Sequence, residues 1–356
     1  MLRMAGAAVV SFLTVIFLAP KVIRFLIRYK VGERAEFNRA DLNQLTRHKS
    51  NTPTMGGGLI VIAILVAVIL FADVVNNMYI KMALVALLWL GGLGAVDDWL
   101  KIRYSAGTGS RDGLKTWEKL VFQVGLAVLL SIFMRQYARN VEPAKCFYLP
   151  FRVAPIALPL LAHIIITVLT MVGTSNAVNL TDGMDGLAAG CFTIVAGVFL
   201  MISWIVGVEE WSRLFHLPLV LRSEEMTILC ASMLGACLGF LWYNSHPAQV
   251  FMGDTGSLAL GGLLGYVAVV TRQEMLLLIA GGVFVMEAAS VILQVGLFKL
   301  TKPAGGIEGR RLFRCAPLHH HFHLGGWAES KVVVRFWLLG IIFAALAMAT
   351  LKLKIP

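Results

Sequence analysis

Ten stretches of mostly apolar residues divide this 356-residue chain. A stretch of about 20 such residues is what a helix needs to cross a bilayer's hydrocarbon. They lie near 5–27, 57–75, 78–96, 120–135, 156–173, 187–206, 226–242, 256–271, 275–299 and 332–351. Hydrophobic residues make up 58% of the chain and charged ones 14%. A soluble domain carries roughly 25% charge and about 45–50% apolar residues, so that class is excluded. No repeat or linker splits the chain. The expectation is one all-α polytopic membrane domain over 1–356, with loops near 28–56, 97–119, 174–186, 243–255 and 300–331.

The first run ends in Lys21, Arg24 and Arg28 and lacks a small-residue cleavage site, so it reads as a retained helix rather than a signal peptide. An even number of spans puts both termini on one side, and Lys and Arg decide which. Loops 28–56, 97–119 and 299–331 hold 17 of the 31 basic residues. They are expected to face the cytoplasm, with both termini outside. This topology, together with anionic lipid headgroups, accounts for the net charge of +11. With no basic helix or aromatic-basic motif apart from the membrane loops, no nucleic-acid partner is expected. The five cysteines show no zinc spacing and no evident pairing, and are read as small packing residues.

Against this apolar background, five aspartates stand at the ends of runs on the expected cytoplasmic side: Asp97, Asp98, Asp182, Asp185 and Asp254. A carboxylate beside hydrocarbon needs water, a cation or a proton. Several at one face suggest a divalent metal and an anionic substrate. Asp97-Asp98 closes the third run; neighbours on a helix diverge by about 100°, so the two need not share a role. Pairing with Lys101 at a solvated helix end is the structural alternative. The stretch from Gly173 to Gly186 packs amides, hydroxyls, two carboxylates and glycines between two runs. Its D-x-D pattern hints at a calcium loop but lacks the remaining ligands.

Three further segments carry polar chemistry. In Phe251–Ser257, Asp254 suits a hard cation such as Mg²⁺ that bridges to phosphate oxygens, or else an N-cap. Lys49–Gly58 places a lysine, hydroxyls and amides at a helix start, an anion site without Walker A spacing. Arg310, Arg311 and Arg314 precede His319, His320 and His321, which suit phosphate contact better than zinc. Glu287 and Gln294 lie within the ninth run and His163 within the fifth, as functional candidates or hydrogen-bonded structural groups.

Together these segments resemble the polyprenyl-phosphate N-acetylhexosamine-1-phosphate transferase superfamily, and within it the phospho-N-acetylmuramoyl-pentapeptide transferases. The likeness runs in order from Lys49 through Trp327. It rests on Thr52–Gly57, Asn176–Leu187, Phe251–Leu258 and Ala316–Phe322; the Thr-Pro-Thr-Met-Gly-Gly string and the triple histidine favour the muramoyl-pentapeptide branch. The resemblance implies ten helices and a cytoplasmic cleft in a bacterial inner membrane. It implies transfer of phospho-MurNAc-pentapeptide from UDP-MurNAc-pentapeptide to undecaprenyl phosphate, giving lipid I and UMP with Mg²⁺, in a homodimer among membrane lipids.

Carried over residue by residue, Asp254 is the metal ligand, and Asp97 and Asp98 are the reacting pair, with Asp97 chosen to deprotonate the lipid phosphate. Lys49 and Asn244 fall at catalytic positions. Asn179, Asp182, Gly183, Met184, Asp185, Lys101 and Phe251 fall in the nucleoside pocket, with Asp185 and Phe251 at the uracil. His319, His320 and His321 meet phosphates or sugar, and Thr54, Lys119 and Gln294 complete the substrate-binding set. The alternatives are a UDP-N-acetylglucosamine-dependent transferase and, in a different class, a transporter of anionic solutes. A transporter would place its polar groups at the bilayer midplane in paired repeats.

Overall fold

The computed structural model describes residues 1–29, 52–107, 113–137, 145–152, 154–302 and 309–351. Lys49 lies outside them. The membrane-length helices are α1 (Leu2–Arg28), α3 (Met78–Gly107), α4 (Thr116–Tyr137), α5 (Leu160–Thr181), α6 (Leu187–Gly207), α8 (Glu224–Asn244), α9 (Gly253–Val270), α11 (Gly282–Thr301) and α13 (Glu329–Thr350). Shorter helices are α2 (Gly57–Phe71), α7 (Glu209–Leu214), α10 (Glu274–Ala280) and α12 (Leu318–Leu324). Nine helices among the described residues are therefore long and apolar enough to cross a membrane, with α2 a shorter tenth.

Four boundaries differ from expectation, each for a local reason. Helix α3 does not stop at Val96. It runs on to Gly107 because Asp97 and Lys101 pair one turn apart, at 2.8 Å, so their charges are neutralised on the helix itself. Helix α5 continues through Thr181, so Asn176 and Asn179 are helical rather than in a loop. Their amides find partners on neighbouring helices: Asn176 Nδ2 donates to Gln123 Oε1 at 2.9 Å, and Asn179 Nδ2 to Ser257 Oγ at 2.9 Å. The start of the expected fifth run is instead strand β2 (Ile156–Ala157), paired antiparallel with β1 (Cys146–Phe147). The expected helix over 275–299 is broken at Gly281 into α10 and α11. A Cβ at Gly282 would lie 2.6 Å from the Phe343 ring, so α13 presses against the break.

Helix α9 is the centre of the bundle, buried along its whole length and packed on α5, α3 and α2. Small residues allow this. A Cβ on Gly57 would meet the Gly256 nitrogen at 2.2 Å, and one on Gly94 would meet the Asp254 carbonyl oxygen at 2.2 Å. Close backbone approach replaces the hydrophobic drive that helices lack against lipid. Residues before α2 and α9 are non-helical but pair with each other: Phe251 N donates to Pro53 O, Gly56 N to Phe251 O and Gly57 N to Met252 O, each at 2.8 Å. Irregular backbone is tolerated at such depth only when satisfied this way.

Candidate active site

Four helices bring charged or amide side chains to one end of α9. Asp97, Asp98 and Lys101 come from α3, Lys119 from α4, Asn179 from α5, and Asp254 from the first turn of α9. Ligand oxygens of Asp97, Asp98 and Asp254 lie within 4.8 Å of one another, and all three residues are buried. Two ammonium groups hold this cluster together. Lys119 Nζ sits 2.7 Å from both Asp97 Oδ2 and Asp254 Oδ2. Lys101 Nζ sits 2.8 Å from Asp97 Oδ2 and 3.2 Å from Asp254 Oδ1. With every side chain ionised, three negative and two positive charges share the cluster, leaving it one negative charge in excess.

The two adjacent aspartates are used differently. Asp98 Oδ1 accepts the Asp254 N–H at 3.0 Å, while its Oδ2 accepts the Thr255 N–H at 2.9 Å and the Thr255 hydroxyl at 2.7 Å. It caps α9 from a neighbouring helix, satisfying N–H groups that α9's own N-cap, Met252, does not reach by a side chain. Gly253 makes room: its φ is +70°, and a Cβ there would lie 2.6 Å from Asp98 Oδ2. Thr54 is buried at the same corner. Asp97 Oδ1 instead accepts the Leu114 N–H at 2.7 Å, and Oδ2 faces the two lysines. The outer oxygen of Asp254 is shared with Asn179, whose Nδ2 donates to Oδ1 at 2.8 Å.

A second group lies around the turn 182–186. Asp185 Oδ2 accepts the Ala248 N–H at 3.1 Å and lies 3.0 Å from His246 Nδ1; its backbone N–H donates to Glu329 Oε1 at 2.9 Å. Asn244 Oδ1 accepts the Gly186 N–H at 3.0 Å and its Nδ2 donates to Val250 O at 2.9 Å, so it ties two loops together. Met184 is buried and Gly183 exposed. Phe251 and Asp182 are half-buried beside these groups in sequence.

The histidines sit on α12, where His319 and His320 are buried with ring centroids 4.2 Å apart. His321 Nδ1 accepts the Arg314 N–H at 3.1 Å. Gln294 holds the segment before α12: its Oε1 accepts Leu312 N and Phe313 N at 2.9 Å each, and its Nε2 donates to Phe313 O at 3.2 Å. Sequence reasoning missed His246 and Glu329, which stand at helix ends among ordinary neighbours. Only the proximity of His246 to Asn244 and Phe251 signalled it.

The fold and site together define an integral-membrane enzyme that handles anions at one end of a helical bundle. The chain belongs to glycosyl transferase family 4, whose model matches residues 78–272, and within it to the phospho-N-acetylmuramoyl-pentapeptide-transferases. Three similar proteins bear that name. The protein of Desulfotalea psychrophila is 42% identical over 99% of this chain and 94% of its own length. That of Methylacidiphilum infernorum is 43% identical over 99% and 94%, and that of Rickettsia felis 41% over 98% and 93%. The family match spans Asp97, Asp98, Asn179, Asp185 and Asp254.

Proposed function

We propose that this enzyme transfers phospho-N-acetylmuramoyl-pentapeptide from its UDP conjugate to undecaprenyl phosphate, releasing UMP, at the inner membrane of a bacterium. The observation that carries the reading is the cluster of Asp97, Asp98, Asp254, Lys101 and Lys119 at the buried head of α9. It combines hard oxygen donors with two cations, which is what meeting of a phosphate with a diphosphate requires.

The donor set fits Mg²⁺, which favours carboxylate oxygens and keeps waters that can be exchanged for phosphate. Asp254 would hold it, and when bound it supplies positive charge against the repulsion between the two anionic reactants. Asp98 has three donors from α9 on its two oxygens and serves to hold Asp254 in place. Asp97 is therefore the group we assign to take the proton from the acceptor phosphate. Lys101 and Lys119 leave the carboxylates for the phosphates, and Asn179 keeps Asp254 oriented. The turn 182–186 with Phe251 forms the nucleoside pocket, and Asp185 is pre-oriented there by Ala248 and His246. The loops carrying the site face the cytoplasm, where a nucleotide conjugate is available.

The test is a UMP-release assay on detergent-purified protein with undecaprenyl phosphate and Mg²⁺. UMP from UDP-MurNAc-pentapeptide is expected, with activity lost in Asp254→Asn. Release from UDP-N-acetylglucosamine instead would move the enzyme to another branch. No release from either would revive a transport role.

A further inference from the structure

Glu287 is the one acid within α11, and it is fully buried. An ionisable group placed there costs free energy unless it is used. Both its oxygens point at one residue of the neighbouring short helix. Oε1 accepts the His319 backbone N–H at 3.2 Å, and Oε2 lies 3.2 Å from His319 Nδ1. His319 is itself fully buried, and its other ring nitrogen, Nε2, has no hydrogen-bond partner among the described residues. That nitrogen lies against the turn 182–186: a Cβ on Gly183 would come within 2.3 Å of it.

We propose that Glu287 is a positioning residue for His319, acting through it on the Gly183 wall of the nucleotide site; the inference rests on the transferase reading. A carboxylate with only acceptor oxygens obliges Nδ1 to carry the ring proton. The same two contacts fix the backbone and the ring of His319 together, so the imidazole cannot turn over. Nε2 is thereby kept as a defined, unspent group behind Gly183, where an incoming ligand supplies its missing partner. Leaving a buried nitrogen unpaired is tolerated when a functional state satisfies it. The glycine follows from the same geometry, because any side chain at 183 would occupy the place of the ring. Gln294, two turns further along α11, supports this by clamping the chain that leads into α12.

The test uses the full-length protein in detergent with ¹⁵N-labelled histidine, His319 being assigned by the signal lost in H319N. The wild-type spectrum should show a protonated Nδ1 and an unprotonated Nε2, and Glu287→Gln should change that pattern. In the UMP-release assay, E287Q should lower kcat at least about 10-fold while KM moves less than about threefold. Adding E287Q to H319N should cost little more, since both remove one device. An Nε2-protonated neutral ring in the wild type would overturn the proposal, as would additive losses or wild-type kcat in E287Q. The wild-type spectrum needs no substrate and no change at Glu287, so it decides even if E287Q does not fold. Wild-type protein that releases no UMP would sink the transferase reading, and the spectrum would still judge the role of Glu287.

Discussion

Two neighbouring carboxylates on α3 have separate duties. Asp98 is bound to the start of α9, whereas Asp97 faces the lysines. Asp98→Ala should therefore cost stability, about 1–2 kcal/mol as for a lost helix cap, and activity with it. Asp97→Asn should abolish turnover with little change in the melting temperature. Thermal unfolding in detergent beside the UMP assay separates the two, and equal destabilisation would end the distinction. Lys119 gives a second residue-level prediction. Its ammonium competes with a cation for Asp254, so Lys119→Met should bind Mg²⁺ on the order of tenfold tighter without substrate, yet turn over more slowly. Calorimetric titration checks this; weaker Mg²⁺ binding would place the metal elsewhere. Sequence pointed to Asp97, Asp98 and Asp254 because charge is rare in apolar runs. It could not divide Asp97 from Asp98, since the division depends on Thr255 and Gly253, which are 156 or so positions away in the chain.

At the scale of elements, the site depends on how near α3 and α2 come to α9. Gly94 faces the Asp254 carbonyl, leaving no space for a methyl group. Gly94→Ala should separate the helices at the point where Asp97, Asp98 and Asp254 converge. We expect overpacking of about 1–3 kcal/mol and loss of most activity, whereas Gly92→Ala, whose added carbon meets nothing within 4 Å, should be nearly silent. Equal melting temperatures for the two variants would show that the contact is not limiting. The long helices were legible from hydropathy alone. Their ends were not, because Asn176, Asn179 and Asp97 look like loop residues until their partners on other helices are known. The break at Gly281 escaped for the same reason: glycine pairs occur elsewhere in the chain, and only the pressure of Phe343 makes this one matter.

For the whole molecule, the distribution of Lys and Arg predicts the orientation, and two native cysteines can test it. Cys146 precedes α5 and Cys315 precedes α12, both half-buried and on opposite sides by the expected topology. A membrane-impermeant maleimide added to intact spheroplasts should label Cys146 and spare Cys315 until the membrane is opened. The reverse pattern would invert the protein. One further consequence concerns depth. Helix α2 has 15 residues and spans about 22 Å at 1.5 Å per residue, while hydrocarbon is roughly 30 Å thick. Its far end meets the polar Asp73 and Asn76, and its near end is held by the backbone bonds of Gly56 and Gly57 to Phe251 and Met252. So short a helix leaves the backbone before it to be satisfied by protein, and the pairing of that backbone with the chain before α9 does so right beside Asp98 and Asp254.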